Sequence, residues 1–152
     1  MSYSDNSFSP CDLIQEHVIL LSEPDWRVFV ACMLMNMTRG TTMRPYMWSL
    51  FDKWPTAHAL SCANFDELRE HIKPLGFSAR RAANLIRMST QYITDTWSTP
   101  HDLCGCGKYA YDSWRIFCRG DIPLLDELKD KELRRYINWL TTGIHVPQPE
   151  LV

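Results

Sequence analysis

Leu103-Cys104-Gly105-Cys106-Gly107-Lys108-Tyr109 is the stretch whose reading decides the fold. Two glycines one residue apart, entered from an apolar residue and followed by a helical pattern, form a backbone turn whose free N–H groups face outward. Glycine tolerates positive φ and leaves room for a ligand against the main chain. The unsatisfied N–H groups opening the next helix attract negative charge, so Gly105, Gly107 and Lys108 are candidate phosphate-binding residues. Such a hairpin grips a nucleic-acid strand without reading its sequence. Downstream, Ala110, Trp114, Phe117 and Cys118 recur at helical spacing, which anchors the turn on a buried helix. A Gly-x-Gly alone serves equally well as an ordinary tight turn between helices, so the surrounding chain has to choose.

Working outward, apolar residues recur every three or four positions, β-branched alternation is nearly absent, and Pro or Gly interrupts at short intervals. The expected class is all-α. The spacing predicts a first helix over about Cys11–Leu21. A second over Trp26–Met35 is expected to open from a capping box of Ser22 and Asp25, with Pro24 in its first turn. That second helix lacks a polar face, which marks it as the core. Further helices are expected at about Met43–Lys53, at Asn64–Ile72 with Asn64 and Glu67 as a cap pair, and at Ser78–Thr94 capped by Ser78. Lys73-Pro74-Leu75-Gly76-Phe77 reads as a sharp corner, and Lys131–Thr142 as a last helix stopped by Gly143. Residues 9–143 form the expected domain, with loose termini over 1–8 and 144–152.

The 152 residues, 45% of them apolar, are enough for one domain with a real core and no staple. Six cysteines are scattered through apolar segments, and no secretory signal or membrane-length apolar run is present, which favours buried thiols in a reduced intracellular compartment. The alternative is a metal site from His101, Cys104, Cys106 and Cys118, though the residues between these cysteines are glycines with a turn to make. Net charge is −2, against the basic footprint of a generic DNA binder. Its distribution is uneven: residues 1–60 hold four Lys/Arg against six Asp/Glu, and the remainder holds twelve of each. Local basic clusters stand at Arg80-Arg81, at Arg115 and Arg119, and at Arg134-Arg135, where solvated helix faces are the plain alternative.

Several separated blocks together resemble the helix-hairpin-helix DNA glycosylase superfamily, within it the thymine-DNA glycosylase domains carried by methyl-CpG-binding-domain proteins. They are Leu13-Ile14-Gln15-Glu16, Asp25-Trp26, Met35-Asn36-Met37-Thr38, Lys73-Pro74-Leu75-Gly76, the hairpin with Asp112-Ser113-Trp114-Arg115-Ile116-Phe117-Cys118, and Asp130 with Tyr136, Trp139 and Leu140. The resemblance implies two helical subdomains flanking a DNA-binding cleft. It also implies a nuclear base excision repair enzyme, working as a monomer on double-stranded DNA with a mismatched or damaged base.

What the resemblance implies for single residues can be checked against chemistry. The family's essential aspartate, at the opening of the last helix, matches Asp130. A carboxylate near C1′ stabilises the positive charge that develops on deoxyribose as the glycosidic bond breaks. Asp130 also reads as the cap of its helix, and the two roles are compatible. Asp126 competes for the catalytic role, but only Asp130 keeps an ungapped distance to Tyr136 and Trp139. Bifunctional relatives carry a Schiff-base lysine two residues after the second hairpin glycine. Here that residue is Tyr109, and Lys108 points about 100° away on the helix. The reading is therefore a monofunctional glycosylase acting on thymine or uracil opposite guanine, with Tyr109 and Gln15 lining the base pocket. No cysteine follows Cys118, so the iron–sulfur loop of some relatives is missing and no cofactor is expected, a monovalent cation at the hairpin aside.

The chain departs from the family pattern in two places. Met37 stands where the thymine glycosylases have an arginine, and Arg39 two residues on is the candidate to fill the gap left by an extruded base. Phe77 follows Lys73-Pro74-Leu75-Gly76 where the family inserts an apolar wedge; packing against the next helix is its other reading. An inactive DNA-binding module and a helical protein-interaction domain are the rival functions.

Overall fold

A computed structural model describes residues 13–143. The expectations for 1–8 and 144–152, and for Cys11 at the start of the first helix, fall outside those residues. Among the described residues every regular element is helical.

The helices are α1 (Ile14–Val18), α2 (Pro24–Met35), α3 (Gly40–Lys53), α4 (Ala57–Ser61), α5 (Phe65–Ile72), α6 (Ser78–Thr94), α7 (Lys108–Ser113) and α8 (Lys131–Thr142). The all-α expectation holds. Helix α2 is the axis of the molecule: every residue from Trp26 to Leu34 is buried, as its missing polar face predicts. Helices α1, α3, α6 and α7 pack around it.

Its start differs from the expected capping box. Glu23, in left-handed conformation at φ 50°, is the cap residue, and no side chain caps the helix. Ser22 is drawn elsewhere. Arg27, buried, donates from Nε to the Ser22 carbonyl at 2.6 Å and from Nη2 to its hydroxyl at 3.3 Å. A buried guanidinium needs acceptors more than a helix end beside water needs a cap. Ser78 is a second correction: it is the first helical residue of α6, and Phe77 at φ 50° takes the cap position. The corner is sharper than read, with a 3-10 turn at Lys73–Leu75 followed by two consecutive left-handed residues, Gly76 and Phe77.

Other expectations survive. Asn64 caps α5 by accepting the Glu67 N–H at 3.0 Å, and Gly143 ends α8 at φ 72°. Helix α4, capped by Thr56, was not anticipated because five residues are too few to display a period. Likewise α1 is one short turn and not the eleven residues predicted.

Two apolar clusters hold the elements together. The larger runs from Ile14 through α2–α6 to Trp114; the smaller consists of Leu13, Ile116, Leu128, Leu133 and Ile137. The smaller one carries α8, and thereby the residue at its head. No described helix is long and apolar enough to cross a membrane.

Candidate active site

Where α1, the exit of α2, the start of α3, the hairpin helix α7 and the head of α8 meet, they enclose an open cleft of about 520 Å³. Gln15, Tyr109, Asp130 and Arg39 all line it, as do Met37, Arg44 and Glu132. Gln15 and Tyr109, expected in the base pocket, and Asp130, the candidate carboxylate, come from separate blocks of the sequence and face this one cleft.

Gln15 is completely buried. Its Nε2 donates to the Tyr109 hydroxyl at 2.5 Å and to Ser113 Oγ at 3.2 Å, while Oε1 has no hydrogen-bond partner. A buried orphan acceptor is costly. Whichever way the amide is turned, one polar edge is committed to Tyr109 and Ser113 and the other has no partner among the described residues. Ser113 was missed in the sequence, yet it sits one turn after Tyr109 on the same face of the hairpin helix, a spacing that announces it. Burial pushes the Tyr109 phenol far above its ordinary range, so it stays neutral and can donate. Beneath the site the Cys32 thiol, also raised by burial to about 12, stays protonated and inert.

Asp130 caps α8, accepting the Leu133 N–H at 3.0 Å. The cap reading is met, and the cap bond holds the carboxylate at the cleft wall. Desolvation by burial raises its pKa above the usual aspartate range, partly offset by the backbone N–H groups of Leu133 and Glu132. Its competitor Asp126 is exposed on the Leu125–Glu127 turn and does not line the cleft. Three contacts set the approach to Asp130. Arg134 Nη1 donates to the carbonyls of Leu125 and Leu128, at 2.7 and 3.0 Å, and Arg115 bridges to Glu127 at 2.8 Å.

In the hairpin only Gly105 is left-handed, at φ 78°, where an added Cβ would fall 2.7 Å from Met33 Cε. Gly107 caps α7 at φ −101°, ψ −153°, and a Cβ there would meet nothing within 4 Å. The second glycine is thus not required by backbone strain; what it leaves is open space before the helix. Lys108 bonds Asp112 Oδ2 at 2.8 Å and does not line the cleft.

The wedge candidates separate. Phe77 lies on a neighbouring cavity of about 380 Å³ with Asn36, Met37, Arg80, Arg81, Asn84 and Gly105, whereas Arg39 belongs to the Asp130 cleft. Asn36 and Met37 line both.

The four residues of the metal alternative make other contacts. His101 stacks on Tyr111 at 4.8 Å, Cys104 Sγ donates to Asn84 Oδ1 at 3.4 Å, Cys106 is buried, and Cys118 packs against the main core. Among the described residues no group of three or more His, Cys, Asp or Glu is placed to hold a metal ion.

A cleft lined by the half-buried Asp130 carboxylate, an amide and a phenol, beside a Gly-x-Gly hairpin, can be compared with known proteins. The profile described as HhH-GPD superfamily base excision DNA repair protein matches residues 30–151. The chain belongs to the HhH-GPD superfamily. It is 38% identical over 113 residues to a methyl-CpG-binding domain protein 4-like protein of Arabidopsis thaliana, covering 74% of this chain and 25% of that protein. A thymine-DNA glycosylase of Aeropyrum pernix is 28% identical over 120 residues, covering 74% of this chain and 54% of the relative. The chain thus spans between a quarter and about half the length of these relatives. The fold is also that of a solved thermostable thymine-DNA glycosylase, with a TM-score of 0.63 at 19% identity over 73% of this chain and 52% of that one.

Proposed function

We propose that this chain is a monofunctional DNA glycosylase that extrudes thymine or uracil mispaired with guanine from double-stranded DNA and hydrolyses its N-glycosidic bond. It acts as a nuclear monomer. The observation that carries the reading is the placement of the Asp130 carboxylate in the same cleft wall as the orphaned amide edge of Gln15 and the neutral Tyr109 phenol. A mispaired base is cheaper to extrude than a paired one, so part of the selectivity comes from the substrate. The amide edge and the phenol bind the polar edge of the pyrimidine. As the C1′–N1 bond breaks, its electron pair leaves with the base and positive charge grows on the sugar, which Asp130 stabilises electrostatically. Water then bonds to C1′ and gives up a proton, which the Asp130 carboxylate accepts. Arg39 and Arg44 bring cations to the cleft for the strand's phosphates, Gly105 and Gly107 offer main-chain N–H groups, and Phe77 supports the opened stack.

Lys108 is engaged by Asp112 at 2.8 Å and lies outside the cleft wall, which supports the monofunctional reading. The product is an intact strand with an abasic site. Single-turnover excision from T·G, U·G and oxidised-base duplexes tests the substrate class, with cleavage expected for the first two. Borohydride is expected to trap no protein–DNA adduct, and a covalent adduct through Lys108 would contradict the monofunctional reading.

A further inference from the structure

The segment that leads from the hairpin helix to Asp130 is strapped twice to one residue. Arg115 lies on the π-helical turn Trp114–Cys118 that continues α7. Its carbonyl accepts the Asp121 N–H at 2.8 Å, and its guanidinium donates from Nη2 to Glu127 Oε2, also at 2.8 Å. Glu127 Oε2 accepts the Leu124 N–H as well, at 3.1 Å. The ion pair therefore holds the Leu125–Glu127 turn, which ends three residues ahead of Asp130.

Inward, the strap ends on Asp112, whose side chain is only 5% exposed and stands between two cations. Its Oδ2 accepts from Lys108 Nζ at 2.8 Å. Its Oδ1 is 3.7 Å from Arg115 Nε, and neither of these two buried atoms has a hydrogen-bond partner among the described residues. A buried carboxylate oxygen and a buried guanidinium N–H just beyond bonding distance are a pair that a small movement completes. Lys108, the competing cation, is the first residue of α7 after Gly107, and its side chain is 46% exposed.

We propose that Asp112 and Arg115 form a relay that couples a DNA phosphate at the hairpin to the placement of Asp130. A phosphate that engages Lys108 draws it from Asp112, and the carboxylate closes on Arg115 Nε instead. Giving up a partner costs a half-exposed lysine little, whereas a buried carboxylate has to replace the charge it loses. The guanidinium is then fixed on two sides, by Asp112 and by Glu127, and with it the turn that leads into Asp130. The relay rests on the DNA glycosylase reading, in which the strand's phosphates meet the hairpin. Asp112 and Arg115 are positioning residues, and neither lines the Asp130 cleft.

The test uses a matched duplex, which presents phosphates and no target base. Hydrogen exchange over residues 119–130 is compared in the free and the DNA-saturated chain. In the parent, exchange there is expected to slow by about threefold or more on binding, as local opening becomes rarer. In Asp112→Asn and in Glu127→Ala, each of which breaks one link, DNA is expected to leave it unchanged. Circular dichroism establishes that each variant is folded; Glu127 is exposed and outside both cores, so its variant serves even if Asp112→Asn does not fold. A second readout is single-turnover excision from the T·G duplex at saturating chain. Both variants are expected to lose about tenfold in rate while duplex affinity stays within about threefold, a split between rate and binding that general loosening of the fold would not give. The double variant is expected to lose no more than either single one, because both act on one path. No slowing of exchange in the parent, slowing that persists in either variant, or excision by the variants at the parental rate overturns the relay. Binding isotherms come first. A chain that binds no duplex at low salt refutes the DNA glycosylase reading and the relay with it, whereas one that binds and excises without protecting residues 119–130 refutes the relay alone.

Discussion

Asp130 is asked to do opposite things. It must be ionised to stabilise a cationic sugar, yet burial favours its neutral form. Excision is therefore expected to rise with pH through a midpoint above the ordinary aspartate value of about 3.9 and then to level off, checked by single-turnover rates across the acid range. The stability contribution runs the other way: a raised carboxyl pKa stabilises the fold fully at acid pH, and that contribution is lost as pH rises through the folded-state pKa. At neutral pH Asp130→Asn is accordingly expected to raise the denaturation midpoint slightly, because Asn caps as well as Asp and carries no desolvated charge. The same variant is expected to lose excision while keeping DNA binding, since the charge it stabilises exists only in the transition state. A rate above about a tenth of the parent, a loss under about 1.4 kcal/mol, refutes the assignment. Neutral Tyr109 and inert Cys32 add no competing titration near neutrality.

At the scale of the element, the hairpin's glycines are not equivalent, and single substitutions separate folding from binding. Gly105→Ala is expected to destabilise the fold by about 1–2 kcal/mol, the cost of a left-handed alanine, before any shift of the Met33 methyl that the Cβ would meet at 2.7 Å. Gly107→Ala meets nothing and needs no unusual φ. Its folding is expected to be nearly unchanged while binding to matched and mismatched duplexes weakens by similar factors, since main-chain contacts to phosphate carry no sequence information. Thermal melts and a salt series of binding isotherms check the pair. Unchanged binding of Gly107→Ala at every salt concentration would reduce the hairpin to a structural turn.

Across the whole molecule, the division into a large and a small core decides how Asp130 is held. Helix α8 is strongly amphipathic and buries only Leu133 and Ile137 fully, against Leu13, Ile116 and Leu128. A five-residue cluster has little redundancy. Leu133→Ala is expected to cost about 2–5 kcal/mol, as large-to-small core changes do. The loss is expected to fall on α8 first, with its amides exchanging before those of α2 and excision dropping more than DNA affinity. Hydrogen exchange resolved by segment checks this, and simultaneous loss of protection in α2 and α8 would mean that the two cores unfold as one.

The sequence by itself determined what depends on neighbours three or four residues apart. The helical class, the burial of α2 all round, the Asn64 cap, the Gly143 stop and Asp130 at the head of α8 are all of this kind, because periods and caps are set by i to i+4 contacts. The resemblance added the grouping of Gln15, Tyr109 and Asp130. Tertiary structure decided whatever depends on a competitor elsewhere in the chain. Ser22 lost its cap role to Arg27, a residue that must satisfy its guanidinium in the core. Asp126 and Asp130 are alike as residues, and only the small core's packing sends one to the cleft and the other to water. The left-handed turn at Met37 is held from a distance in sequence, by the Arg81 side chain donating to Leu34 O, Asn36 O and Thr38 Oγ1 on either side of it.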